Sequence, residues 1–176
     1  MSLLIVSTSL NPESNSRLLA REAERVLRAD GHEPGFLDLR DLPLPLCDGA
    51  QAYEHAHVAR ADALIAAAHG LIVAAPIYNY DANAAAKNLV ELTGDAWENK
   101  VVGFLCAAGG QGSYMSIMAL ANSLMLDFRC VIVPRFVYAT GAAFADDQIK
   151  DAQIVARVAE CARMTARFAA ALQPPG

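Results

Sequence analysis

Short, uniformly apolar runs along this chain alternate with longer segments whose apolar residues recur at helical spacing. Leu3–Thr8 is apolar without alternation, the pattern of a strand covered on both faces. Ser14–Ala29 carries Leu18, Leu19, Ala23, Val26 and Leu27 as a helical stripe, and Gly31 stops it. Phe36, Leu37 and Leu39 predict a second strand, followed by the Pro-containing loop Asp41–Asp48. The spacing then predicts a helix over Glu54–Ala68, a strand over Leu71–Ala75, and a helix over Ala82–Leu92 closed by Gly94. Val101–Cys106 is a fourth strand and Tyr114–Leu126 a fourth helix. Val131–Tyr138 is a fifth strand, made edge-like by Pro134. Asp147–Leu172 is a closing helix with Ile154, Val155, Val158, Cys161, Ala162 and Phe168 on its apolar side, and Gln173–Gly176 reads as a frayed tail.

Strands alternating with helices predict an α/β fold: a doubly wound, five-stranded parallel sheet with right-handed crossovers and helices on both faces. Five strands suit the flavodoxin-like order 2-1-3-4-5 better than the larger dinucleotide-binding arrangement. At 176 residues, with no low-complexity linker, residues 1–176 read as a single domain.

Composition narrows the function classes. A net charge of −5 without a basic cluster gives no reason to expect nucleic-acid binding. Val101–Leu126 carries no charged residue or histidine and is long enough to span a bilayer, but Gly109-Gly110-Gln111-Gly112-Ser113 interrupts it. Ala63–Tyr80 is broken in the same way at His69-Gly70, so both read as buried strand and helix pairs with no membrane partner. The apolar run Leu3–Val6 is too short for a signal peptide. Cys47, Cys106, Cys130 and Cys161 are scattered, without CxxC or zinc spacing, and read as free thiols, with Cys106 and Cys130 in strands. A cytoplasmic protein is expected. His55 and His57 are two apart, point to different faces of a helix and define no metal site.

Candidate chemistry gathers in three loops. In a sheet of this order, the loops after strands 1, 3 and 4 lie together at the carboxyl edge, where ligands bind. The first, Ser7-Thr8-Ser9-Leu10-Asn11-Pro12-Glu13-Ser14-Asn15-Ser16, is dense in hydroxyls and amides and runs into a helix N-terminus, which favours a phosphate. It lacks both the P-loop pattern and GxGxxG. Capping by Ser14 or Ser16 would account for one serine and leave the others without a reason. The second, Pro76-Ile77-Tyr78-Asn79-Tyr80, puts aromatic and amide groups at the end of a buried strand, with Pro76 expected to end the ladder. The third, Gly109–Ser113, supplies backbone that can approach a flat ring closely.

Together these loops resemble the flavodoxin-like NADPH-dependent FMN reductases, a family that includes azo-dye, quinone and chromate reductases. The family pattern Ser-Gly-Ser-x-Arg-x-x-Ser-x-x-Arg is matched by Ser7, Ser9, Ser14 and Arg17. Its Pro-x-Tyr-Asn motif, with Leu-Lys-Asn after a short gap, is matched by Pro76, Tyr78, Asn79, Lys87 and Asn88. The Leu-Pro-Leu-Pro run at Leu42–Pro45 is similar to the family's loop after strand 2, so the resemblance spans essentially the whole chain. Four departures stand out. Thr8 occupies the place of Gly, Asn11 stands near the usual Arg, Asp81-Ala82 replaces a Ser-containing turn, and Ala86 replaces Leu.

The resemblance implies a bound FMN reduced by NADH or NADPH, with electrons passed to a small-molecule acceptor such as a quinone, azo compound or free flavin. It implies that Ser9, Asn11, Ser14, Asn15 and Ser16 hold the phosphate. Pro76, Ile77, Tyr78 and Asn79 would flank the ring and ribityl chain, and Gly109, Gly110, Gln111, Gly112 and Ser113 would line its pyrimidine end. No catalytic triad or essential general base is expected, because the flavin carries the redox chemistry. Without the family's Arg, neutral donors would carry the phosphate.

Other families of this fold fit less well. A receiver domain needs an Asp at the end of strand 3, where Pro76 stands, and a small tyrosine phosphatase needs a cysteine in the first loop. The alternatives that stay open are a flavodoxin-type electron carrier, against which the mild charge and the Tyr-Asn loop argue, and a flavin-binding regulatory protein. Tyr114–Leu126, uncharged on every side, predicts a homodimer or homotetramer whose interface uses this helix and Ala82, Ala84, Ala85 and Ala86 of the preceding one.

Overall fold

Apolar runs become strands where both faces are covered, and amphipathic segments become the helices that cover them. The computed structural model describes residues 1–172. Its elements run β1 (Leu3–Ser7), α1 (Asn15–Ala29), β2 (Gly35–Asp38), α2 (Ala56–Ala67), β3 (Gly70–Tyr78), β4 (Asp81–Ala82) and α3 (Ala84–Thr93). They continue with β5 (Val101–Ala108), α4 (Met118–Phe128), β6 (Val131–Ile132), β7 (Val137–Thr140), β8 (Phe144–Ala145), β9 (Gln148–Ile149) and α5 (Ala152–Ala171). The sheet order is β2-β1-β3-β5-β6, with β7 also on β5 and every pairing along this path parallel. Counting β6 and β7 as one interrupted strand, this is the expected 2-1-3-4-5 order.

Alternate strand residues feed two cores. Leu4, Val6, Leu71, Val73, Val102 and Phe104 cluster with α2, α3 and α4 through Ile65, Leu89 and Leu124. Leu3, Ile5, Ile72, Ala74, Val101 and Leu105 cluster with α1 and α5 through Leu19, Leu27, Val158 and Ala162. Two glycines let α5 lie against the sheet. A Cβ on Gly103 would sit 2.6 Å from Thr165 Oγ1, and one on Gly70 would sit 2.9 Å from the Ala169 Cβ.

Several boundaries differ from the sequence reading, each for a local reason. Pro76 does not end its ladder. It pairs with Ala107 of β5, and the strand runs on to Tyr78, where β4 folds back antiparallel. The fifth strand is split after Ile132, with Arg135 in the left-handed region at φ 59°, and β7 re-enters beside β5 two residues out of step with β6. Cys130 consequently lies in the turn before β6, not in a strand. The closing helix begins at Ala152, because residues 144–149 form a hairpin turning on Asp146 and Asp147, both at positive φ. Asp151 then caps α5 by accepting from the Gln153 and Ile154 N–H groups.

Helix α4 begins at Met118, and Ala86 of α3 is buried within its own chain rather than offered to a partner. His55 is the N-cap of α2, not a residue of its surface, and its ring lies edge-on to His57 at 4.9 Å. The tail at Gln173–Gly176 lies outside the described residues. Among the described residues, no helix is long and apolar enough to cross a membrane. None of their His, Cys, Asp and Glu side chains gather as a group of three or more that could hold a metal ion.

Candidate active site

The β1–α1 loop is built from two directions. Ser14 takes an extended conformation and caps α1, its hydroxyl accepting from the Arg17 N–H at 3.3 Å. The Ser14 and Ser16 hydroxyls lie 2.9 Å apart, so one donates to the other and one hydroxyl hydrogen of the pair remains for a ligand. The first helical N–H groups, on Asn15 and Ser16, have no carbonyl partner within the helix. Behind the loop, the Arg17 guanidinium donates to the carbonyl oxygens of Ser9 and Asn11, both at 2.7 Å. The same side chain pairs with Asp38 at the end of β2, at 2.6 and 3.2 Å. Arg17 therefore braces the loop rather than meeting a ligand.

The second wall is the hairpin after β3. Asn79 and Tyr80 occupy its turn at φ 50° and 67°, the left-handed pair that a two-residue hairpin requires. Asn tolerates that region readily, but Tyr does so at a cost of about 1–2 kcal/mol. Tyr80 is 70% exposed, yet its hydroxyl oxygen lies 2.8 Å from where a Gly112 Cβ would be. Glycine at 112 lets this tyrosine rest against the third loop.

That third loop is held from below. Tyr138 of β7, itself buried, donates its hydroxyl to the Gly110 carbonyl and lies 2.8 Å from the Ser113 hydroxyl. Ser113 is then the donor to Tyr138, which leaves its oxygen lone pairs for a ligand. Tyr114 stacks on Phe136 at 4.9 Å and meets Tyr138 edge-on at 5.4 Å, fixing the approach to α4. A Cβ at Gly109 or Gly110 would meet nothing within 4 Å, so packing within the chain does not require glycine at either position.

The three loops enclose a cavity of about 820 Å³, within the range of roughly 300–1,000 Å³ typical of small-molecule sites. Of the residues singled out from sequence, Ser9, Asn11, Ser14, Asn15, Ser16, Pro76, Ile77, Tyr78, Asn79, Gly109 and Ser113 line it. Gly110, Gln111 and Gly112 do not. Sequence reasoning missed Glu13, Tyr80, Ala107, Ala108 and Gly141. Tyr80 and Glu13 sit inside the segments already quoted and could have been included. Gly141 follows β7, and only the sheet order brings it here.

Among the described residues, Glu13 is the one charged group lining the cavity. Among the described residues, no cysteine lines the cavity; burial raises the Cys161 thiol to about 11 and pushes the Cys106 thiol well above its ordinary range. The donor set suits a monophosphate at one end and a flat conjugated ring at the other. Neutral hydroxyls and helix N–H groups stand at one end of the cavity, and proline, tyrosine and open glycine backbone at the other. FMN has this shape and polarity.

Comparison with known proteins leads to the same cofactor. The family model for NADPH-dependent FMN reductases matches residues 1–145. An NAD(P)H-dependent FAD/FMN reductase of Geobacillus thermodenitrificans (strain NG80-2) is 29% identical over 130 residues, covering 72% of this chain and 70% of that protein. Among solved structures, an oxidoreductase from Corynebacterium diphtheriae superposes with a TM-score of 0.78 at 20% identity, over 98% of each chain. FerB, a flavoenzyme NAD(P)H:(acceptor) oxidoreductase from Paracoccus denitrificans, superposes with a TM-score of 0.78 at 17% identity, over 97% of each chain. At these identities the two structures bear on the fold, which is the flavodoxin-like one. With the fold, the motifs and the cavity in agreement, this chain belongs to the NADPH-dependent FMN reductases, oxidoreductases that work with FMN and a nicotinamide donor.

Proposed function

We propose that residues 1–176 act as one FMN-binding domain, with the phosphate on the β1–α1 loop and the ring against the β3 hairpin. The observation that carries this reading is the convergence of a hydroxyl-lined helix N-terminus, an aromatic hairpin and an open glycine backbone on one cavity. The chemistry FMN supplies when bound is hydride-equivalent transfer from NADH or NADPH to an acceptor. The protein's part is to bind, orient and shield. Ser14, Asn15 and Ser16 donate to the phosphate, with Ser9 and Asn11 beside them. Pro76, Ile77, Tyr78 and Asn79 flank the ribityl chain and ring, and Gly109 and Ser113 contact the pyrimidine end. Gly110, Gln111 and Gly112 shape that loop from outside the cavity. The exposed rings of Tyr78 and Tyr80 favour a flat, conjugated acceptor that can stack at the mouth.

A second copy of the chain completes the picture. Met115, Ala119, Asn122, Met125 and Leu126 form an exposed stripe without a charge along α4 and the turn before it. Such a stripe is unusual on a monomer, and a two-fold partner covering it would place a second chain near the cavity. The assembly is a homodimer or homotetramer working in the cytoplasm.

The phosphate assignment has a direct test. Replacing Ser14 and Ser16 together by Ala should weaken FMN much more than riboflavin, since bonds to a charged phosphate contribute about 1.5–3 kcal/mol each. Titration of both flavins into the folded variant reads the difference, and equal losses would remove the phosphate from this loop.

A further inference from the structure

Thr8 stands where the family pattern has glycine, and its side chain is not idle. The residue is fully buried at the end of β1, and its hydroxyl donates to Asn83 Oδ1 at 2.7 Å, with the Ala74 carbonyl oxygen 3.1 Å away. Asn83, 5% exposed, returns the contact by donating Nδ2 to the Thr8 carbonyl oxygen at 2.8 Å. The two residues are 75 apart in sequence. Neither lines the cavity.

Asn83 makes this exchange at the expense of its usual task. It is the N-cap residue of α3, where an Asn side chain ordinarily accepts from a helix N–H, yet it makes no such bond here. Its backbone N–H instead donates to the Pro76 carbonyl at 3.1 Å, which closes the base of the hairpin bearing Tyr78 and Tyr80. On the other side, Thr8 is followed directly by Ser9, the first residue of the loop braced by Arg17. The reciprocal pair therefore joins the phosphate-side wall of the cavity to the ring-side wall at their shared root.

We infer that Thr8 and Asn83 are positioning residues: their paired hydrogen bonds fix the spacing between the phosphate loop and the ring-side hairpin, so that FMN meets both walls already in register. This rests on the cavity being the FMN site. A preset spacing lowers the ordering that binding would otherwise require. Losing the Thr8 hydroxyl leaves the buried Asn83 Oδ1 without its donor, losing the Asn83 amide leaves the Thr8 carbonyl without its donor, and either loosens one wall relative to the other.

The test separates positioning from simple stability. FMN affinity and thermal midpoint are measured on the same purified proteins: wild type, Thr8→Val, Thr8→Ser, Asn83→Ala, Asn83→Ser and the Thr8→Val/Asn83→Ala pair. Asn83→Ala removes both hydrogen bonds and should raise the FMN dissociation constant about tenfold, Thr8→Val removes one of them and should raise it by less, and the pair should raise it little beyond Asn83→Ala. Thr8→Ser keeps the hydroxyl and should bind FMN within about twofold of wild type. Asn83→Ser should regain a helix cap, so its thermal midpoint stays close to wild type while FMN still weakens. That divergence is the signature a purely structural contact would not give, and it persists even if Thr8→Val fails to fold. FMN affinity unchanged in Asn83→Ser and Asn83→Ala, with only the midpoint lowered, would overturn the inference. Wild type that binds no FMN would instead overturn the site assignment on which it rests.

Discussion

At the scale of single residues, Arg17 shows how a charge can serve a site without touching its ligand. Its guanidinium is held by Asp38 and by two loop carbonyls, with the arginine and aspartate side chains 14% and 7% exposed. Arg17→Met would strand a largely buried carboxylate and release the loop, a loss of roughly 3–5 kcal/mol in urea unfolding if the pair behaves as other buried pairs do. Arg17→Lys should recover only part of this, because a point charge cannot reach Asp38 and both carbonyls in the same fork. Glu13 acts in the opposite sense. Its carboxylate lines a cavity without a cation, so Glu13→Gln should tighten FMN, by about 0.2–1 kcal/mol at low salt, while riboflavin affinity stays unchanged. The sequence made the hydroxyl-rich loop legible through residue type and spacing alone. It hid the arrangement behind the loop, since Asp38 and Asn83 reach it only through the fold.

At the scale of elements, strand and helix identities were legible because uniformly apolar runs alternate with longer segments of helical spacing, and the ends were not. The hairpin turns after Tyr78 and Ala145 rest on non-glycine residues at positive φ, a choice that tertiary contacts impose and local sequence does not announce. The close seat of α5 is another such contact. Gly103→Ala would drive a methyl group toward Thr165 Oγ1 and Cys161 Sγ, at 2.6 and 3.0 Å, and should lower stability by about 1–3 kcal/mol. Adding Thr165→Ala removes the nearer obstacle, so the double variant should lose less than the sum of the two singles. Helices α1 and α5 are also tied by Arg163, which donates to the Asp30 carboxylate at 2.7 and 3.1 Å. The Arg163 hydrogen bond holds the Asp30 carboxyl below its usual range. A lowered folded-state pKa means that this contribution is present above the ordinary carboxylate pKa and is lost as pH falls through the lowered one. Asp30→Asn should therefore flatten the acid side of the stability profile while leaving the alkaline side unchanged, as read from thermal midpoints across pH.

At the scale of the whole molecule, the parallel sheet brings three loops far apart in sequence to one edge, and the α4 face bears on how many chains share it. Light scattering at micromolar concentration should give a mass of two or four chains, and a mass near 18.7 kDa would reject the assembly. Leu126, 85% exposed, is a better probe of that face than Met118, which is half-buried in its own chain. Leu126→Glu should dissociate the oligomer and leave the fold intact. The most direct test of the account is the flavin itself. Protein saturated with FMN, then desalted, should retain one flavin per chain by its visible spectrum, and that spectrum should bleach when NADH or NADPH is added without oxygen. A colourless protein with no measurable affinity for FMN would contradict it.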